Sequence, residues 1–308
     1  MNPPTLATPR ILIPFTVATL IWGSTWIIIR DQLGVVPPSW SVTYRFIIAA
    51  AGLFAWIAVT RAPLRLGRQG QTFAALFGLL QFMMNFNFVY RAEAHITSGL
   101  VAVIFALLIV PNSVLGALFL KQRLTARFLL GSLVALAGVG LLIVNEARGD
   151  PSTSGQTWLG LSLTVLGVLC ASLANVMQGT RRAKALPIFA LIAWGMVWGV
   201  LFDAVFAYAT VGPPVIEHRL SYWFGTAYLG LFASSLAFAC YFIAIRAVGP
   251  GPAAYSSVIT PVLAMVLSTL FEDYRWTILA VGGGVLAFAG LLIALTAPKT
   301  PAKKPSPA

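Results

Sequence analysis

Apolar positions fall into ten runs separated by short polar or charged breaks, at roughly residues 11–29, 41–60, 72–90, 97–119, 128–145, 158–179, 187–209, 222–245, 253–271 and 277–296. Most approach or exceed the ~18–20 residues needed to cross a hydrocarbon core about 30 Å thick. In such a medium every backbone donor and acceptor must be satisfied within its own segment, so each run is predicted as a helix. The first run reads as a membrane span and not as a cleaved leader. It is long, it holds Trp22 and Trp26, and no small-x-small site precedes Arg30.

The pattern also repeats. An offset of 150 carries Pro111 onto Pro261, Leu120 onto Leu270, and Gly140-Leu141-Leu142-Ile143 onto Gly290-Leu291-Leu292-Ile293. Each copy is an apolar run with one proline, a charged break, and a second apolar run ending Gly-Leu-Leu-Ile, the mark of an internal repeat. Five helices per half is an odd number, so the second half is expected to enter the membrane upside down. The predicted fold is all-α and integral to the membrane: ten transmembrane helices as two inverted five-helix repeats. The first repeat covers 1–145, an extracytoplasmic connector 146–157, the second repeat 158–296, and a disordered cytoplasmic tail 297–308. Inverted repeats are a common plan of secondary transporters, because two similar halves that exchange conformations open a cavity to alternate sides.

Charge then orients the chain. Loops on the amino-terminal side hold Arg10, Arg61, Arg65, Arg68, Lys121, Arg123, Arg127, Arg181, Arg182, Lys184, Arg246, Lys299, Lys303 and Lys304, with no acid among them. The opposite loops mix Arg30, Arg91, Arg148, Arg219 and Arg275 with Asp31, Glu93, Glu146, Asp150, Glu217, Glu272 and Asp273. Lys and Arg accumulate on the cytoplasmic side, so both termini are expected there. Composition agrees: 59% of the 308 residues are hydrophobic and 9% charged, against about 25% charged in soluble domains. The net charge of +12 is thus accounted for by loop orientation, and no nucleic-acid partner is implied. Cys170 and Cys240 lie inside apolar runs and read as packing residues. Neither His95 nor His218 belongs to an HExxH motif, and GxSxG and glycine-rich phosphate loops are absent. No enzyme, metal or cofactor is predicted.

The candidate chemistry is therefore intramembrane. Arg45 and Asp203 are the charges inside predicted spans, where an ionisable group is costly and faces a cavity or a partner. Each reads as a proton-coupling site or carboxylate anchor, or else as a structural group satisfied by hydrogen bonds. Asp203 continues the small-residue stripe Gly195, Gly199, which lets helices approach closely. Neutral polar and aromatic residues recur at helical spacing: Gln81, Asn85 and Phe88 on the third span; Ser172, Asn175 and Gln178 on the sixth; Ser234, Phe238 and Tyr241 on the eighth; Trp22 and Trp26 on the first. Such faces line either an aqueous cavity or interhelical hydrogen bonds. As a cavity they supply donors for a carboxylate, acceptors for an ammonium group and an apolar wall, without a fixed charge. Trp22, Trp26, Gln81, Asn85, Phe88, Asn175, Gln178, Phe238 and Tyr241 are the predicted substrate-binding set. Pro111 and Pro261 are matched interior prolines, read as hinges or as permanent bends.

Trp22-Gly23-Ser24, Arg45-Phe46, Pro111 with Leu120–Thr125, Ala137–Leu142, and Pro261 with Phe271–Trp276 together resemble the drug/metabolite transporter superfamily, in its ten-helix EamA-type branch. The resemblance runs from about residue 11 to 296 and is greatest to bacterial amino-acid exporters, including those for aromatic amino acids. Many relatives carry Gly-Glu where this chain has Lys121-Gln122. The resemblance implies a central cavity lined by helices 1, 3, 4, 6, 8 and 9, with helices 5 and 10 as scaffold. It implies an inner-membrane exporter of amino acids working by alternating access. The alternatives are an exporter of drug-like or other small metabolites on the same fold, or a channel. The expected partners are a small-molecule substrate and the lipid bilayer; the sequence specifies no oligomeric state.

Overall fold

The computed structural model describes residues 9–121, 124–149, 154–253, 260, 266, 269–271 and 276–295. Every regular element among them is helical: α1 Pro9–Asp31, α2 Pro38–Thr60, α3 Arg68–Ala92, α4 Ser98–Leu120, α5 Ala126–Gly149, α6 Ser154–Gly179, α7 Ile188–Val211, α8 Leu220–Val248 and α9 Ile278–Leu295. Two short helical turns, Arg181–Lys184 and Pro250–Ala253, follow α6 and α8. Seven helices, α1–α4 and α6–α8, are long and apolar enough to cross a membrane, and α5 and α9 carry shorter apolar stretches. α9 corresponds to the tenth expected span. Most of the ninth, with Pro261, lies outside the described residues, as do 150–153 of the connector and the tail from 296 onward.

The outer surface is apolar. Ile13, Val59, Leu130, Val205, Phe224 and Ile278 are all exposed, an arrangement stable in hydrocarbon and adhesive in water. The chain is a multi-pass membrane protein. Proline sets several helix starts: Pro38 stands at the first turn of α2, and Pro187 precedes α7. At the end of α4, Lys121 adopts the left-handed conformation with φ of 55°. Glycine takes that helix-ending position without steric cost, and here a lysine occupies it.

Interior bends have local causes. In α4 the helical ladder is interrupted at Leu107 and Leu108, between Ser98–Ala106 and Ile109–Leu120. Leu107 is four residues before Pro111, where the ring displaces the carbonyl that a helical N–H would have met. α3 and α8 each contain one wide π-turn, Leu79–Met84 and Leu231–Leu236. Both turns begin immediately after a glycine, Gly78 or Gly230.

Those glycines mark close crossings. A Cβ on Gly78 would stand 2.1 Å from the Gly195 carbonyl oxygen, and one on Gly230 would stand 3.0 Å from the Arg45 carbonyl oxygen. α3 is thereby seated on the small-residue stripe of α7, and α8 on α2. A comparably close seam joins α5 to α9. A Cβ on Gly138 would lie 2.2 Å from the Ala287 nitrogen, and one on Gly290 would lie 2.2 Å from the Ala135 nitrogen. The contacts are reciprocal: Gly138 meets Ala287 as Gly290 meets Ala135. Gly140, the letter-for-letter match, faces open space.

Candidate transport cavity

The π-turn of α3 determines which residues reach the middle of the bundle. An α-helical count places Gln81, Asn85 and Phe88 on one face. A π-turn inserts an extra residue into the turn and rotates the residues after it. Gln81, Asn85, Phe86 and Val89 consequently line a central cavity, together with Trp22, Thr25, Trp26 and Ile29 of α1 and Arg45 of α2. α4 contributes Ala102, Phe105, Ala106 and Leu108, α6 contributes Ala171 and Asn175, and α8 contributes Phe238 and Tyr241, with Thr260 beyond them. About 110 Å³ is open to the centres of water molecules, space for roughly eight waters or ~240 Å³ of liquid volume. That is room enough for a small metabolite.

The walls are aromatic. Trp22 lies edge-on to Phe238 and Tyr241, with centroids 5.2 and 4.9 Å apart, and Trp26 packs 5.5 Å from Phe105. Trp22 is oriented by its Nε1, which donates to the Ala233 carbonyl in the π-turn of α8 at 3.0 Å. Phe86 and Phe82 pack on Phe238 at 6.1 and 5.4 Å, and Phe46 packs on both at 4.9 and 5.0 Å. α1 breaks beside this wall at Ser24, whose hydroxyl donates to the Ile21 carbonyl at 2.9 Å and shares a 2.7 Å hydrogen bond with Tyr228.

The polar groups are few and buried. The Arg45 side chain is 1% exposed. Its Nε donates to Ser234 Oγ at 2.9 Å and its guanidinium lies 4.4 Å from the Phe86 ring centre. Among the described residues its Nη1 has no hydrogen-bond partner, and the same holds for Trp26 Nε1, Gln81 Oε1 and Asn85 Oδ1. Asn175 Nδ2 donates to Asn112 Oδ1 at 3.4 Å.

Two residues of the predicted substrate-binding set sit elsewhere, and so does the candidate charge Asp203. Phe88 is turned onto α6, where its Cβ lies 3.5 Å from the position a Cβ on Gly167 would take; the π-turn gives its place in the cavity to Phe86. Gln178 is buried against α8, its Oε1 accepting from Arg246 Nε and Nη2 at 3.3 Å each. Asp203 does not line the cavity. Its Oδ2 accepts from Thr43 Oγ1 at 2.9 Å and its Oδ1 from Asn87 Nδ2 at 2.6 Å. The chain of bonds continues from Ser39 to Asn87 Oδ1 at 2.7 Å and from Arg91 to Ser39 at 3.1 Å, which ties α7 to α2 and α3. The residues that sequence reasoning passed over are chiefly apolar. Phe105, Ala106 and Leu108 come from a helix with no polar stripe, and the signal that could have found them is Pro111, whose break re-aims the preceding turn.

Relatives carry the same plan. The EamA-like transporter family matches residues 10–144 and again 158–296. Protein PagO of Salmonella typhimurium is 25% identical over 265 residues, covering 86% of this chain and 84% of that protein. The uncharacterized inner membrane transporter YedA of Escherichia coli is 28% identical over 295 residues, covering 92% and 90%. A probable terminal-alkyne amino-acid exporter of Streptantibioticus cattleyicolor is 26% identical over 213 residues, 65% of each chain. One solved crystal structure, 20% identical, superposes with a TM-score of 0.69 over 92% of this chain and 96% of its own. With both halves matched and a buried cavity between the membrane-spanning helices, the chain belongs to the EamA-like transporter family.

Proposed function

We propose that this transporter exports amino acids, aromatic and other neutral ones among them, across the bacterial inner membrane by alternating access. The observation that carries the reading is the cavity: it is walled by aromatic rings, lined by residues that hold buried unpartnered polar atoms, and roomy enough for a small metabolite. Both halves contribute to it, α1–α4 from the first and α6 and α8 from the second. The moving parts are two inverted five-helix repeats, residues 1–145 and 158–296, linked outside the cytoplasm by 146–157. The reciprocal contacts of Gly138 and Gly290 support a twofold relation between them. The one-sided distribution of basic loops supports cytoplasmic termini. The name of the Streptantibioticus relative, a probable amino-acid exporter, points to the same class of cargo.

The test is counterflow. Liposomes holding the purified full-length protein and preloaded with an unlabelled amino acid should accumulate the labelled one transiently, with saturating kinetics and competition within the panel of twenty. Linear, unsaturable flux would favour a channel. Absence of counterflow for every amino acid, in vesicles whose protein is folded, would dismiss the assignment of cargo.

A further inference from the structure

We propose that Arg45 is the carboxylate seat of the cavity and that Gln81 and Asn85 hold an ammonium group, so that the site takes an α-amino acid as its zwitterion and rejects a cation of the same size. The inference rests on the cavity being the transport site.

Arg45 is the starting point. It is buried at membrane depth, one nitrogen is committed to Ser234, and one face of its guanidinium is covered by the Phe86 ring. An aromatic face attracts a cation but accepts no in-plane N–H. Among the described residues Nη1 therefore remains a charged donor with no hydrogen-bond acceptor. No Asp or Glu lines the cavity among the described residues, and Asp203 is held by Thr43 and Asn87. Glu93 acts on Arg45 electrostatically and Tyr90 shares a hydrogen bond with it, yet neither lines the cavity. A charge buried at that depth is costly, and a ligand carboxylate would meet it from the cavity side with a charge-assisted hydrogen bond, among the stronger ones available to a protein.

The opposite polarity comes from α3. Gln81 Oε1 and Asn85 Oδ1 are buried acceptors without donors among the described residues, and both residues line the same cavity. Asn85 is oriented by its Nδ2, which donates to the Gln81 backbone carbonyl at 3.4 Å. An ammonium group carries three donors and no acceptor, so two amide oxygens on one helix suit it. With Trp26 and Phe238 as apolar walls, the cavity offers a cationic donor, a pair of neutral acceptors and a side-chain slot. An organic cation satisfies the acceptors but meets Arg45 with a like charge. An organic anion satisfies Arg45 but leaves the amide oxygens unmet, at the penalty attached to buried unpaired groups.

The experiment compares three forms of one molecule on the full-length protein. L-phenylalanine, L-phenylalaninamide and N-acetyl-L-phenylalanine compete for counterflow of labelled amino acid and are scored for thermal stabilisation in detergent; the L-leucine set is run in parallel. The free amino acid should compete best, with the amide and the acetyl form each weaker by about tenfold or more. Arg45→Lys should keep part of the preference for free acid over amide, and Arg45→Gln should abolish it. An amide that competes within about twofold of its amino acid, while amino acids are carried, overturns this assignment and leaves the transport reading intact. A folded Arg45→Gln protein that keeps the full preference does the same. If Arg45→Gln does not fold, the comparison on the native protein decides alone. If no amino acid is carried or bound, the transport reading fails and takes this assignment with it.

Discussion

A carboxylate enclosed where three helices meet has to be satisfied by the side chains around it, and Asp203 accepts from both sides through Thr43 and Asn87. That geometry assigns it a fastening role. Asp203→Ala is expected to lower stability by about 1–3 kcal/mol, the usual cost of leaving buried donors unmet, with the pH profile of residual transport unchanged. Thermal melting in detergent together with counterflow across a pH series checks both halves of the statement. A flattened pH profile in folded Asp203→Asn would return the residue to a proton-carrying role. Asp203 and Arg45 look alike in the sequence, each a lone charge in an apolar run beside small residues. What separates them is the identity of the neighbours, a hydroxyl and an amide for one and an open cavity for the other, and neighbours from distant segments leave no trace in local spacing.

Helices were legible wherever composition alone decides them, because apolar runs at membrane depth have no alternative to the helix. Their rotation was legible only as far as the turn stays regular. α3 reads correctly to Gln81 and Asn85, and then the π-turn hands the position of Phe88 to Phe86. α4 presents no polar face at all, so its cavity wall at Phe105 is visible only through the break that Pro111 imposes. Glycine positions show the same limit. Gly138 and Gly140 lie two residues apart in α5, and the repeat in the letters favours the second, yet it is at the first that an added Cβ would stand 2.2 Å from opposing backbone. Gly138→Ala should therefore destabilise by about 1–3 kcal/mol, as overpacked sites do. Gly140→Ala should be neutral or add up to about 1 kcal/mol of helix propensity. The difference in melting temperature between the two variants measures it. Equal melting temperatures would contradict the seam.

At the level of the molecule, an apolar exterior, two matched halves and an interior with few polar atoms share one cause: hydrocarbon outside, cargo inside. The contacts between α5 and α9 have a consequence for assembly. Backbone meets backbone there without intervening side chains, so the bond between the halves does not depend on the peptide that connects them. Cutting the gene within codons 150–153 and producing the two pieces in one cell should yield a complex that copurifies and still carries substrate. Gly138→Leu in one piece should weaken the complex, which α2, α3, α7 and α8 also hold together. Such a split protein would behave as a heterodimer whose partners are encoded, tuned and exchanged independently.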